Sequence, residues 1–194
     1  MTTNGRSRLY AADLAQIAVF AALIAALGLP GVLTPFGNAV PITAQTLGVM
    51  LAGALLGARR GALAVMVFLA LVAAGLPLLA GWRGGLGLFA GASAGYLFGW
   101  PLGAFVIGLI TDRMLPRYRF WPGLAANVLG GIIVIYAVGI PVQSWRLGST
   151  LLAIVQGAGS YLPGDILKAV ITATVAQQVY RAYPGLAERR AGRR

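Results

Sequence analysis

Apolar residues along this chain of 194 residues come in long, nearly unbroken runs rather than in the alternating stripes of a soluble domain. A helix that crosses a hydrocarbon core needs about 20 such residues, within a range of about 17–25. Six runs meet that length and predict membrane-spanning helices near 11–29, 42–58, 61–80, 86–111, 122–142 and 163–181. A further apolar stretch, STLLAIVQGAGS at 149–160, is too short to cross. Gly157, Gly159 and Pro163-Gly164 interrupt it, which predicts a short helix in or on the outer surface followed by a break.

The first run, Leu14–Leu29, follows Arg6 and Arg8 as the core of a signal peptide would. Asp13 at its edge, the lack of a strict Ala-x-Ala site and the five later spans predict instead that it is retained. No soluble domain, long linker or internal repeat interrupts the pattern. The chain reads as one membrane domain over 1–194, all-α, with six transmembrane helices and short basic tails at about 1–10 and 182–194.

Composition agrees with the pattern: 59% of residues are hydrophobic and only 10% charged, against about a quarter charged in soluble domains. The net charge of +11 would suit a nucleic-acid binder. However, the basic residues form no single face and no nucleic-acid-binding motif accompanies them. They sort by side instead. Arg6 and Arg8 precede the first span, Arg59 and Arg60 join the second and third, Arg113, Arg117 and Arg119 join the fourth and fifth, and Arg181, Arg189, Arg190, Arg193 and Arg194 follow the sixth. The opposite side holds only Arg83 and Arg146. Excess arginine marks the cytoplasmic face, so both termini are expected inside.

Polar chemistry is scarce enough to single out. Asp165 and the only lysine, Lys168, stand one helical turn apart at the start of the sixth run, and Thr172 extends their face. Ionised groups at membrane depth usually face a cavity or one another. Two readings stay open: a ligand pair, or a helix-capping aspartate beside a lysine that snorkels to the surface. Arg83 lies in the glycine-rich Ala80-Gly-Trp-Arg-Gly-Gly-Leu-Gly87, where backbone can approach a ligand and a guanidinium can grip a carboxylate, or simply meet headgroups. Thr43, Gln45 and Thr46 open the second span, and Ser93 and Tyr96 lie in the fourth; each suits helix packing as well as ligand contact. In the first span Ala18, Ala22 and Ala26 recur every fourth residue, a spacing that lets helices approach closely, within the chain or with a partner.

Absences narrow the function. The chain has no cysteine and no histidine, which removes disulfides, thiolate and Ser–His chemistry and the usual zinc sites. It has no GxxxxGK[ST] phosphate loop and no pair of acids within the spans. No catalytic and no metal site is expected, and any energy supply must come from a partner.

Three blocks, PITAQTLGVMLAGALLGARRGALAV at 41–65, GLPLLAGWRGGLGLFAGASAGYLFGW at 75–100 and LPGDILKA at 162–169, together resemble the BioY family, the biotin-binding S components of energy-coupling factor (ECF) transporters. The likeness extends over roughly 10–180. Where the family commonly shows Gly-Pro-Thr-Gly-Gly-Tyr, this chain has Gly91-Ala-Ser-Ala-Gly-Tyr96.

The resemblance implies an S-component fold in a bacterial or archaeal cytoplasmic membrane, with a pocket open to the outside. It implies high-affinity biotin capture and uptake, with no cofactor of its own and with ATP used only by a pair of ATPase subunits. These act through a transmembrane coupling protein, for which Ala18, Ala22 and Ala26 are the candidate docking face. Asp165, Lys168, Arg83, Gln45, Thr43, Ser93, Tyr96, Trp82 and Tyr161 are the candidate biotin contacts. Asp165 and Lys168 suit the ureido ring, Arg83 the valerate carboxylate, and Trp82, Tyr96 and Tyr161 the apolar rings. Rival readings are an S component for another vitamin and a secondary carrier for a small organic anion.

Overall fold

The computed structural model describes residues 11–29 and 43–192. Residues 1–10, 30–42, 193 and 194, with Arg6, Arg8, Arg193 and Arg194 among them, lie outside the described residues. Among those described, every regular element is helical. The longer ones are α1 (Ala11–Ala26), α2 (Gln45–Leu56), α3 (Ala58–Ala73), α4 (Ala94–Met114), α5 (Phe120–Leu147) and α7 (Leu162–Ala182). Two shorter helices, α6 (Leu151–Ala158) and α8 (Pro184–Ala191), flank α7.

Each long helix overlaps one of the six expected runs, with shifted ends. The fourth begins at Ala94 rather than near 86, because Leu86–Ala90 winds into a separate 3-10 turn. The expected break at Pro163-Gly164 is not a break. Pro163 sits in the first turn of α7, where its missing N–H has no intrahelical partner to lose, and α6 runs through a 3-10 turn at Gly159–Tyr161 directly into that helix. The stretch after 182, expected as a tail, forms α8.

Helix α4 is the hub, packed against α2, α3 and α5, while α7 closes the bundle against α2 and α5 and α1 lies on α2 and α3. Small residues set these spacings. A Cβ on Gly103 of α4 would stand 2.6 Å from the Gly130 carbonyl of α5, and one on Gly130 would meet the Gly103 carbonyl at the same distance. No side chain fits there, so the two backbones touch.

Large apolar side chains cover the outside as well as the core. Leu14, Val19, Met66, Val67, Phe98, Leu102, Phe105, Ile133, Ile166 and Leu167 are all exposed. Helices α4 and α5 are long and apolar enough to cross a membrane. Near the two ends of α5, Trp121 and Trp145 are 76% and 73% exposed. At about 1.5 Å per residue these indoles stand roughly 36 Å apart along the axis. Tryptophans anchored at both interfaces of a hydrocarbon core about 30 Å thick have this separation.

One turn of α5 is irregular. Leu129–Val134 is wound as a π-helix, which inserts one extra residue and rotates the remainder of the helix by about 100°. Ile135 and Tyr136, immediately after it, are thereby turned inward to a cavity between the helices.

At the opposite end of the bundle a second irregularity is clasped. Gly57, at φ 88°, makes the turn between α2 and α3. The Arg190 guanidinium of α8 donates to the terminal α2 carbonyls of Ala54 (3.0 Å) and Leu55 (2.8 Å), as well as to Tyr180 Oη. It is also ion-paired to Asp112, whose Oδ2 accepts from the Ala58 N–H that opens α3 (3.1 Å). A cation thus caps the C-terminus of α2 and an anion the N-terminus of α3, the signs that the helix dipoles favour.

Candidate functional site

Helices α2, α4 and α7 begin at the same end of the bundle, and the loop after α3 folds over them. Between these elements lies a partly open cavity. Thr43, Gln45 and Thr46 line it from the entry to α2, and Leu79 and Arg83 from the loop. Ser93, Tyr96, Leu97 and Trp100 come from α4, Gly131, Ile135 and Tyr136 from α5, and Tyr161, Asp165 and Lys168 from the junction into α7.

At its centre is a chain of hydrogen bonds. Lys168 Nζ donates to Asp165 Oδ1 and to Thr46 Oγ1, each at 2.9 Å. Tyr136 Oη donates to the other carboxylate oxygen, Asp165 Oδ2, at 2.7 Å. Asp165 is only 6% exposed. A carboxylate this buried is sustained by the ammonium, the phenol and the positive end of α7, in whose first turn it lies. It does not serve as a side-chain cap: the N-cap position is Tyr161, with no side-chain cap bond. Nor does Lys168 extend to the surface, since its ammonium turns inward to Asp165 and Thr46. The geometry is that of a paired acid and base facing a cavity.

Aromatic walls enclose this pair. Tyr96 and Tyr136 meet edge to face with centroids 6.0 Å apart, and Trp100 is stacked on Phe68 behind it at 6.2 Å. Tyr96 Oη donates to Gln143 Oε1 at 2.9 Å, which fixes the ring and satisfies its hydroxyl. The wall therefore presents ring faces and few free polar atoms.

The loop carrying Arg83 is a tight reversal. Leu79 and Arg83 exchange main-chain hydrogen bonds of 3.0 and 3.1 Å across it. Gly81 and Trp82 take φ of 79° and 57° at its tip, and Arg83 Nε donates to the Ala80 carbonyl at 3.1 Å.

Of the residues singled out in the sequence, Asp165, Lys168, Arg83, Gln45, Thr43, Ser93, Tyr96 and Tyr161 all line the one cavity. Trp82 does not line it. Its backbone is left-handed, and its indole is 72% exposed beside a separate apolar groove with Ala25, Ala26, Leu29 and Pro77. Trp100 and Tyr136 line the cavity as further aromatic residues. Tyr136 and Gln143 escaped sequence reading; the available signal was a lone tyrosine in a run whose only other polar side chain is Asn127. Gln45 lines the cavity, but its amide is engaged by main-chain groups on either side. Ala18, Ala22 and Ala26 are exposed on α1, while Ile17, Ala21 and Ile24 between them face the core. The stripe is an outer face, not an internal contact.

The chain is similar to known proteins over most of its length. The family model described as "BioY family" matches residues 1–185. The biotin transporter BioY of Rhizobium etli is 45% identical over 184 residues, covering 91% of this chain and 97% of that protein. Its counterpart in Rhodobacter capsulatus is 48% identical over 188 residues, covering 87% and 93%. Among solved structures, the S-component for biotin from an ECF-type ABC transporter superposes with a TM-score of 0.83 at 33% identity, covering 93% of this chain and 95% of that one. The chain belongs to the BioY family.

Proposed function

We propose that this protein captures biotin for uptake, as the substrate-binding subunit of an ECF-type transporter. The observation that carries this reading is the Asp165–Lys168 pair in an aromatic-walled cavity, in a chain whose relatives are named biotin transporters. Biotin's ureido ring presents N–H donors beside a C=O acceptor. A carboxylate oxygen and an ammonium 2.9 Å apart form the complementary edge: Asp165 accepts from N–H while Lys168 donates to C=O. Tyr136 and Thr46 keep the two groups aimed and satisfied as the ligand displaces their mutual contact. Tyr96, Trp100, Tyr136 and Tyr161 cover the fused rings, and Ser93 and Thr43 supply hydroxyls near the rim. Arg83, on the loop over the opening, takes the valerate carboxylate, which its fork of donors suits.

The long helices α1–α5 and α7 cross the cytoplasmic membrane six times, with both termini inside and the cavity facing out. The distribution of arginine supports this orientation, and the exposed tryptophans at both ends of α5 support its crossing. Nothing in the chain matches a nucleotide-binding loop, so work against a gradient is supplied by ATPase subunits through a transmembrane coupling protein. The exposed Ala18–Ala22–Ala26 face of α1 is the surface where that protein docks. Calorimetric titration of the purified protein with biotin and with an unrelated vitamin tests the substrate. Saturable binding of biotin alone is expected, whereas binding of the other vitamin alone would overturn the assignment.

A further inference from the structure

Gln45, the first residue of α2, is completely buried. Its Nε2 donates to the Ile24 carbonyl near the end of α1 at 3.1 Å and to the Leu78 carbonyl of the loop at 3.0 Å. Its Oε1 accepts from the Ala80 N–H at 3.0 Å. Both amide hydrogens are thus committed to main chain, and none remains to donate to a ligand. The packing admits no slack here, since a Cβ on Gly28 would stand 3.0 Å from both Gln45 Nε2 and the Leu78 carbonyl.

The chain of contacts leads to the guanidinium. Gln45 holds the N–H of Ala80, and the carbonyl of the same residue holds Arg83 Nε. The base of the loop is pinned elsewhere, by Gly85 N–H to the Val72 carbonyl of α3 at 2.7 Å. Its tip depends on Gln45 and on the Leu79–Arg83 reversal. We infer that Gln45 is a positioning residue for Arg83: by fixing Leu78 and Ala80 it sets where the guanidinium meets the carboxylate end of the ligand, and it does not itself bind the ligand as a donor. This rests on the reading of Arg83 as the carboxylate partner.

A merely structural glutamine would weaken all ligands alike, so the informative quantity is the affinity ratio of biotin to its neutral amide. Titration calorimetry would be run on detergent-solubilised wild type, Gln45→Met, Arg83→Ala and the double variant. Gln45→Met keeps the side-chain length and removes all three hydrogen bonds. It should lower the ratio by about tenfold, the scale of one hydrogen bond to a charged group, and should lower it no further once Arg83 is alanine. If Gln45→Met is not recovered folded, Gln45→Asn is read in its place; it keeps an amide one methylene too short to span the three main-chain groups. Equal loss for both ligands, or independent losses in the double variant, would overturn the positioning role while leaving Arg83 as the carboxylate partner. A ratio that Arg83→Ala itself leaves unchanged would overturn both.

Discussion

Tyr136 and Asp165 come from different helices and meet at 2.7 Å across the cavity, phenol to carboxylate. The contact exists because a π-turn in α5 rotates Tyr136 inward just where the first turn of α7 presents its acid. It completes the set of partners that sustains the Asp165 carboxylate away from water. Tyr136→Phe removes the donor and keeps the ring. The expected result is a biotin affinity about 10-fold weaker or more, in line with a lost bond to a charged group. Titration of the variant checks this, and an unchanged dissociation constant would remove Tyr136 from the site.

Arg83 is the only cationic side chain contributed to the cavity by the loop. Arg83→Ala should weaken biotin more than the neutral amide of biotin, because only the acid loses an ion-paired partner. Competition binding of the two ligands reads the difference directly. Equal weakening would place the carboxylate elsewhere.

On α1, Ala22 is exposed at the middle of the alanine stripe and touches none of the cavity. Ala22→Trp should leave biotin binding by the isolated protein intact and abolish co-purification with the coupling protein and ATPase subunits. Recovery of the complex at normal yield would show that docking occurs on another face.

At the far end, Arg190 is also a stability element. Arg190→Ala leaves Asp112 without its partner and uncaps the α2 carbonyls. Breaking a buried ion pair by removing one member typically costs about 3–5 kcal/mol; since the Asp112 side chain is 29% exposed, the low end is expected. Thermal unfolding in detergent should therefore shift strongly downward for Arg190→Ala and little for Arg181→Ala, whose side chain is exposed. Biotin affinity at low temperature should be unaffected in both.

The helices were legible because each apolar run far exceeds what a soluble core element needs, and Asp165 and Lys168 because ionisable groups are so rare in such runs. The family likeness then brought Arg83, Ser93, Tyr96 and Tyr161 to one site from separate blocks. What stayed hidden depended on local backbone geometry. Trp82 is next to Arg83 in sequence, yet Arg83 lines the cavity and Trp82, at a left-handed φ, borders a separate groove. Tyr136 turns inward through a π-turn that no residue pattern announces. Arg190 stands in a basic cluster that reads as surface charge, and only the buried clasp with Asp112 distinguishes it from its neighbours. Gln45 looks like a ligand residue because it lines the cavity, whereas its amide is committed to main chain.

The most direct test of the central claim is calorimetric titration of biotin into purified Asp165→Asn and Lys168→Met, with insertion and folding verified for each. Each variant leaves one buried partner without its counter-charge and removes one half of the ureido-binding edge. The expected result is a folded protein whose biotin affinity falls by about 2–5 kcal/mol in either variant. Wild-type affinity in both, with any damage confined to thermal stability, would contradict the role of this pair in ligand capture.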